Sequence, residues 1–163
     1  MENKLNDIWI LWVHDNSNNW TLNSFEKIYE IGTIDDFWKI YNNFNLLGGL
    51  SKKNFYLMRK GITPVWEDNR HKNGGICSIK VSLLKSFPIW TELSMYLIGE
   101  TLFDNDKKML DITGISINYK NIWSIIKIWN SDSNINIEHN FPQLLKNKYN
   151  KCSIRYTKNV SEN

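Results

Sequence analysis

The stretch Thr113-Gly114-Ile115-Ser116-Ile117-Asn118-Tyr119-Lys120-Asn121-Ile122-Trp123-Ser124-Ile125-Ile126-Lys127-Ile128-Trp129 decides the fold. It reads as a hairpin of two strands, Thr113–Lys120 and Ile122–Trp129. Outward from it, Ile8–His14 and Asn54–Arg59 have the β-branched and aromatic content of strands, and Gly75–Ser82 continues that pattern after a double-Gly turn. A last strand is expected over Cys152–Tyr156. Two helices interrupt the strands. The first has Thr33 as N-cap with Asp36 three residues later and runs to about Asn43; the second starts near Pro88, which suits a first helical turn, and ends at Gly99. A third, around Glu138–Asn147, is weakened by Pro142. Strands joined mostly through short turns predict an α+β domain: an antiparallel sheet with helices packed on one face. The other face is free to bind.

The 163 residues imply one domain, spanning 1–163 with short flexible ends at about 1–6 and 158–163. A formal charge of +3 is too small to hold nucleic acid by charge alone but permits a local basic patch. Cys77 and Cys152 show neither metal spacing nor a disulfide framework, which points to a reducing, cytoplasmic setting with both as small buried hydrophobes. The stretch Met1–Asp7 has no apolar signal core, and no run of 18 apolar residues occurs, so a soluble, monomeric protein without a membrane span is expected.

Eight tryptophans in 163 residues are several times the share of an ordinary soluble domain, and an indole is hard to bury completely unless its N–H finds a partner, so either some are exposed for a reason or all eight belong to the core. Trp9, Trp12 and Trp123 fit the core. Trp66-Glu67, in the turn-rich loop Gly61-Ile62-Thr63-Pro64-Val65-Trp66-Glu67-Asp68-Asn69, reads as a guanine reader. An indole stacks on any base, whereas a carboxylate accepts two parallel hydrogen bonds from the N1 and N2 donors that guanine presents together. A second indole on the other face would favour a cationic base such as 7-methylguanine. Trp20, in Asn16-Ser17-Asn18-Asn19-Trp20, is the candidate for that face.

In the first helix, Ile34, Phe37, Trp38, Ile40, Tyr41 and Phe44 cover an arc of roughly 160°, wider than a surface helix needs. Ile34 and Trp38 form an i, i+4 pair at its edge. Either the helix is deeply buried, or that edge meets a helical partner. In the second helix, Ile89, Trp90, Leu93, Tyr96 and Leu97 make one apolar face and leave Thr91, Glu92 and Met95 opposite, a mixture that suits a partner surface.

These residues together resemble the eukaryotic translation initiation factor 4E family, the messenger-RNA cap-binding proteins. The resemblance runs from about Leu5 to Tyr156. It is carried by Trp9-Ile10-Leu11-Trp12, Asp35-Asp36-Phe37-Trp38, Gly61–Asp68, Leu97-Ile98-Gly99-Glu100 and Ile128-Trp129, all in register. It implies a curved sheet whose concave side holds the cap, with about three helices on the convex back. It further implies that Trp20 and Trp66 sandwich the methylated base, that Glu67 and the Trp66 backbone N–H read its edge, and that Trp129 lies by the N7-methyl. Strand phase independently puts Ile125, Lys127 and Trp129 on one face; the same rule groups Asn118, Lys120 and Ile122, and Asn118 is counted with the cap-binding residues.

Phosphate recognition departs from the family pattern. An Arg after the double Gly and several basic residues in the penultimate hairpin are usual there; here those positions are Ile76, Lys120, Ile122 and Ile125. Lys120 keeps its charge, and Lys127 is the substitute suggested by strand phase. On the back, the resemblance implies that Ile34, Trp38, Thr91, Glu92 and Met95 hold the helical motif of the initiation scaffold 4G or of 4E-binding proteins. Thr91 replaces a larger apolar residue, and Asn3-Lys4 stands where a His-Pro pair is usual.

No metal, cofactor or catalytic nucleophile is expected. His14, His71 and His139 lack metal spacing, and Glu67-Asp68 on an extended chain would point to opposite faces. The sequence therefore implies a non-enzymatic factor that recruits capped messenger RNA to a scaffold. The alternative is a cap-binding repressor that does not engage the scaffold.

Overall fold

The computed structural model describes residues 3–159. Its strands are β1 (Lys4–His14), β2 (Phe25–Thr33), β3 (Asn54–Arg59), β4 (Gly75–Ser82), β5 (Ile112–Tyr119), β6 (Trp123–Asn130) and β7 (Ser153–Lys158). The helices are α1 (Ile34–Tyr41), α2 (Leu83–Ile98), α3 (Asp106–Asp111), α4 (Ile137–Asn140) and α5 (Gln143–Lys148). The strands form one curved sheet in the order β2-β1-β3-β5-β6-β4-β7, with every neighbouring pair antiparallel. The predicted hairpin is the β5–β6 pair near its centre.

Period two divides the sheet into a helix side and an open side. Trp9, Leu11, Phe55, Leu57, Cys77, Ile79, Ile115, Ile117, Ile126 and Ile128 point to the helices and form one core with Trp90, Leu93 and Leu97 of α2. Phe37 and Tyr41 of α1, Met109 of α3, Ile137 of α4 and Leu145 of α5 complete that core. Ile10, Trp12, Phe25, Tyr56, Met58 and Trp129 form a second, smaller apolar cluster on the open side. Burying a residue such as Leu93 or Leu97 completely contributes about 1.5–3 kcal/mol, so the back of the sheet supplies most of the packing.

α1 starts as its sequence requires. The Thr33 side chain accepts from the Asp36 N–H and the Asp36 carboxylate accepts from the Thr33 N–H, a closed capping box. A further bond from the Gly32 N–H to Asp36, which more than offsets slight burial, holds that carboxyl below its ordinary range.

α2 differs from expectation. It begins at Leu83, five residues before Pro88, which sits inside the helix. Proline lacks the N–H that would bond to Leu84 four residues back, and the first turn is tied instead by the Ser86 hydroxyl donating to the Ser82 carbonyl. The third expected helix is split by Pro142 into α4 and α5, and α3 and β2 were not expected at all, so five α-helices occur among the described residues instead of about three. Of the expected flexible ends, 1–2 and 160–163 lie outside the described residues, whereas Lys4 pairs with Thr33 and Lys158 with Gly75. The grouping of Asn118 with Lys120 and Ile122 ends at the strand: Asn121 has φ 68°, which turns the chain, and Ile122 is exposed. Trp123 is only half-buried on the open side, where the Lys80 ammonium lies 3.7 Å from its ring centroid, so it is not a core residue.

Candidate nucleotide-binding face

The register of the central strands sets the open face as three cross-strand rows. The first runs Met58, Gly114, Trp129, Ile76 and Thr157; the second Tyr56, Ser116, Lys127, Ser78 and Arg155; the third Asn54, Asn118, Ile125, Lys80 and Ser153. Trp129 is buried in this floor, and its indole N–H donates to the Ser116 hydroxyl at 3.0 Å. Asn118 is also buried; its amide donates to the Tyr56 hydroxyl at 3.3 Å, while its own carbonyl oxygen has no partner among the described residues. Burial, partly opposed by that bond, raises the Tyr56 pKa, so the phenol stays protonated.

Two exposed indoles lie on different loops beside this floor, Trp20 near Phe25 and Trp66 next to Val65. Trp20 is 48% exposed and Trp66 57% exposed, values that set them apart from the four fully or nearly buried tryptophans Trp9, Trp12, Trp90 and Trp129. The loop between β1 and β2 holds Trp20. Its ring stacks on His14, centroids 3.9 Å apart and planes 9° from parallel, and lies 6.4 Å from Phe25 of the floor. His14 is fully buried: its Nδ1 accepts from the Asn16 N–H at 3.0 Å and its Nε2 donates to the Asn19 carbonyl at 2.7 Å, so both ring nitrogens are tied to the loop backbone. One face of Trp20 is thus backed by a clamped ring, and the other is open.

The loop between β3 and β4 holds Trp66 and Glu67. It leaves β3 through Gly61 at φ 90°, a left-handed position that glycine accepts without strain. Asp68 then acts as its internal anchor, accepting from the Thr63 N–H at 2.8 Å, the Thr63 hydroxyl at 2.6 Å and the Arg70 N–H at 2.9 Å. Burial would raise the Asp68 pKa, but these bonds outweigh it and hold the carboxyl low. His71 is fully buried and joins loop to sheet: Nδ1 donates to the Val65 carbonyl at 2.7 Å, Nε2 accepts from the Thr113 hydroxyl at 2.8 Å, and its ring lies 4.9 Å from Trp129. Burial lowers the His71 pKa, with the Val65 bond and Asp68 opposing. Val65, next to Trp66, packs against the floor cluster.

Every polar anchor of this loop is a neighbour of Trp66 and Glu67, and those two are left over. Among the described residues, the Glu67 carboxylate accepts no hydrogen bond and forms no ion pair, and the Trp66 and Glu67 backbone N–H groups have no acceptor. No aromatic contact among them joins Trp20 to Trp66. The result is an exposed indole, a carboxylate and two amide donors on a stiffened loop, and a second indole on another. A flat group stacked on such an indole can have its polar edge read by the carboxylate.

Lys127 lies in the second row, half-buried, and Lys120 is exposed at the β5–β6 turn. Burial, aided by the Lys120 charge, lowers the Lys127 pKa. Lys80 and Arg155 face the same side and were not anticipated; the phase of β7, with Ile154 and Tyr156 packed on the core, would have found Arg155. The sequence marks His14 and His71 only as lacking metal spacing, and their role in bracing the two loops has no local sequence signal.

On the helix side, Ile34 and Met95 are each 42% exposed, while Trp38, Thr91 and Glu92 are half-buried. Thr91, Glu92 and Met95 line a groove of about 550 Å³ with Phe87, Pro88 and Tyr96. Glu92 is already engaged, accepting from the Lys148 ammonium and the Tyr149 hydroxyl of the α5 end. Burial would raise its pKa, but these partners hold it low. The Thr91 hydroxyl is buried without a partner among the described residues.

Among the described residues no group of three His, Cys, Asp or Glu side chains is placed to hold a metal ion, and no helix is long and apolar enough to cross a membrane. Cys77 is fully buried and its thiol is pushed up to about 12 by burial; Cys152 is half-buried.

A family model described as eukaryotic initiation factor 4E matches residues 4–162. The chain is 32% identical over 139 residues to eukaryotic translation initiation factor 4E-1A of Danio rerio, covering 81% of this chain and 63% of the relative. It is 28% identical over 137 residues to an initiation factor 4E homolog of Acanthamoeba polyphaga mimivirus, covering 71% and 50% respectively. The chain thus spans between half and 63% of the length of these curated relatives. Among solved structures, Ascaris suum eIF4E-3 in complex with m7G cap superposes with TM-score 0.82 at 29% identity, over 99% of this chain and 94% of that one. Caenorhabditis elegans eIF4E-3, in complex with the 4E-binding protein Mextli and a cap analog, gives TM-score 0.83 at 26% identity, over 97% and 93%.

Proposed function

The chain belongs to the eukaryotic initiation factor 4E family, and from that premise we propose that it binds the 7-methylguanosine 5′ cap of messenger RNA and delivers capped messages to a translation-initiation scaffold, without catalysing a reaction. The observation that carries this reading is the loop of Trp66 and Glu67, in which the anchoring bonds fall on Thr63, Val65, Asp68 and His71 and the reading groups stay uncommitted. The Glu67 carboxylate accepts from N1 and N2 of guanine, the Trp66 N–H donates to the O6 edge, and Trp66 and Trp20 stack on the two faces. N7-methylation makes the base a cation, which two indole faces prefer. Trp129 and Asn118 complete the floor beside the base, and Lys120 and Lys127 meet the phosphates. Cap binding needs all these elements together, so residues 1–163 act as one cap-binding domain.

The test is titration of Trp fluorescence with 7-methyl-GTP, GTP and ATP, for the wild type and Glu67→Gln. The wild type is expected to prefer the methylated nucleotide, and Glu67→Gln to lose at least tenfold in affinity, because its amide cannot accept both donors and leaves one unsatisfied. Equal binding of ATP and 7-methyl-GTP by the wild type would rule the reading out.

The partner surface supports binding of a 4G-like scaffold or a 4E-binding protein by a helical motif across Ile34, Trp38, Thr91, Glu92 and Met95. Two observations favour a second reading, a cap-binding repressor: Glu92 is tied to Lys148 and Tyr149, and the buried Thr91 hydroxyl, without a partner among the described residues, stands where an apolar contact is usual. Retention on 7-methylguanine resin followed by identification of co-retained proteins separates the two. A scaffold supports initiation; a repressor alone supports silencing.

A further inference from the structure

On the open face of β5, β6, β4 and β7, the inward positions from Gly114 to Asn118, Trp123 to Trp129, Ile76 to Ser82 and Ser153 to Thr157 include no carboxylate. Three cations share that surface. Lys127 and Arg155 lie in one row with Ser78 between them, so their strands are roughly 10 Å apart at about 4.8 Å per strand. Lys80 is two residues along β4 from Ser78, its ammonium parked on the Trp123 ring. None of the three side chains has an ion pair or a side-chain hydrogen bond among the described residues, although Arg59, Lys60 and Lys148 elsewhere all do. Trp129, the floor of the base site, is two residues from Lys127 on the same strand and so lies one row away.

We infer that the phosphate chain of the nucleotide runs outward across the sheet, from Trp129 over Lys127 and Ser78 to Arg155 with Lys80 at its side, so that of the two lysines assigned to the phosphates Lys127 lies on the path and Lys120, at the β5–β6 turn, acts only at its edge. This inference rests on the cap-binding reading for the position of the base. The turn is poorly equipped for the task, since residues 119–123 carry Lys120 as their one cation with exposed Ile122 beside it, and Ile125 occupies the open face of β6 next to Asn118. The outer strands are well equipped: Arg155 offers a planar fork that bonds two phosphate oxygens at once, and half-buried Lys127 lacks the full hydration that would otherwise compete with an anion. Like charges gathered without carboxylates repel one another, and a polyanion relieves that repulsion. Burial and the neighbouring Lys120 already bias Lys127 against its charge, which a bound phosphate would restore.

Calorimetric titration with 7-methylguanosine, guanosine, 7-methyl-GTP and sodium tripolyphosphate tests this. Arg155→Ala and Lys80→Ala are each expected to weaken 7-methyl-GTP roughly tenfold, the lower end for a hydrogen bond to a charged group, to leave the nucleoside unaffected, and to abolish most tripolyphosphate binding. The dependence of log affinity on log salt should become shallower with each residue removed. If both variants keep the wild-type ratio of 7-methyl-GTP to 7-methylguanosine affinity and the wild-type salt slope, the inference is wrong. If the wild type binds tripolyphosphate through Arg155 and Lys80 but shows no preference for methylated guanosine, the row stands as an anion site and the cap reading fails instead.

Discussion

Replacing His14 with Ala removes the ring that backs Trp20, and its consequences separate into two measurable parts. The first is stability. His14 is fully buried and makes two hydrogen bonds, from the Asn16 N–H and to the Asn19 carbonyl; at about 1 kcal/mol each, plus the cavity left by the ring, the loss is about 2–4 kcal/mol in urea unfolding. The second is the site. The stack at 3.9 Å and 9° contributes about 0.5–1.5 kcal/mol to holding Trp20, so 7-methyl-GTP affinity is expected to fall roughly two- to twelvefold. His14→Phe discriminates the two effects, because it keeps an aromatic ring behind Trp20 while losing both hydrogen bonds. It should bind more tightly than His14→Ala at comparable stability. Fluorescence titration alongside urea unfolding reads both parts. Should His14→Ala bind 7-methyl-GTP as tightly as the wild type, the idea that the histidine prearranges the indole is refuted.

Three further outcomes follow from the geometry. His71 has a lowered pKa in the fold, so the unfolded chain binds the proton more readily below pH 6.5; its contribution to stability is complete above that pH and is lost as pH falls toward and through the folded value, an effect that His71→Gln should remove from a stability profile over pH 5–7. A Cβ at Gly114 would lie 2.5 Å from the Leu57 carbonyl oxygen and closer still to the Met58 sulfur, so Gly114→Ala should destabilise by about 1–3 kcal/mol and shift the emission of Trp129, its cross-strand partner. Arg59 is buried, donating to the Ile112 and Met109 carbonyls and pairing with Asp7 and Glu100; Arg59→Ala leaves half-buried Glu100 unpaired and should cost about 3–5 kcal/mol in urea unfolding, with nucleotide selectivity retained in the folded fraction.

Local chemistry explains which parts were readable. Asn54–Arg59 matches its predicted bounds because turns flank it, Gly75–Ser82 because a double-Gly turn opens it and Ser82 passes directly into α2 as its N-cap, and the capping pair Thr33 and Asp36 marks the start of α1. β2 was missed because Phe25–Thr33 is an edge strand carrying Glu26, Lys27 and Glu30, which break the apolar alternation that marks a half-buried strand. The start of α2 was misjudged because proline is most at home in a first turn, and here packing of Ile89, Trp90 and Leu93 carries the helix through it. α3 has six residues, capped by Asn105, too short for a periodic signal. For the site, Trp20 and Trp66 stood out by type and loop context, and both are the exposed indoles of the fold. The braces His14 and His71 were invisible because their partners, Asn16 and Asn19 on one side and Val65 and Thr113 on the other, are backbone groups and a hydroxyl that only the folded loop brings into place. Arg155 needed the register of β7 against β4, a long-range fact.

The sandwich itself is tested most directly by titrating 7-methyl-GTP and GTP into the wild type, Trp20→Ala, Trp66→Ala and the double variant, with binding read by calorimetry so that no indole serves as reporter. Each single change is expected to weaken 7-methyl-GTP by about 1–3 kcal/mol, roughly 5- to 150-fold, and the double variant to lose its preference for the methylated base. A double variant that still binds 7-methyl-GTP tightly and prefers it over GTP would contradict the account.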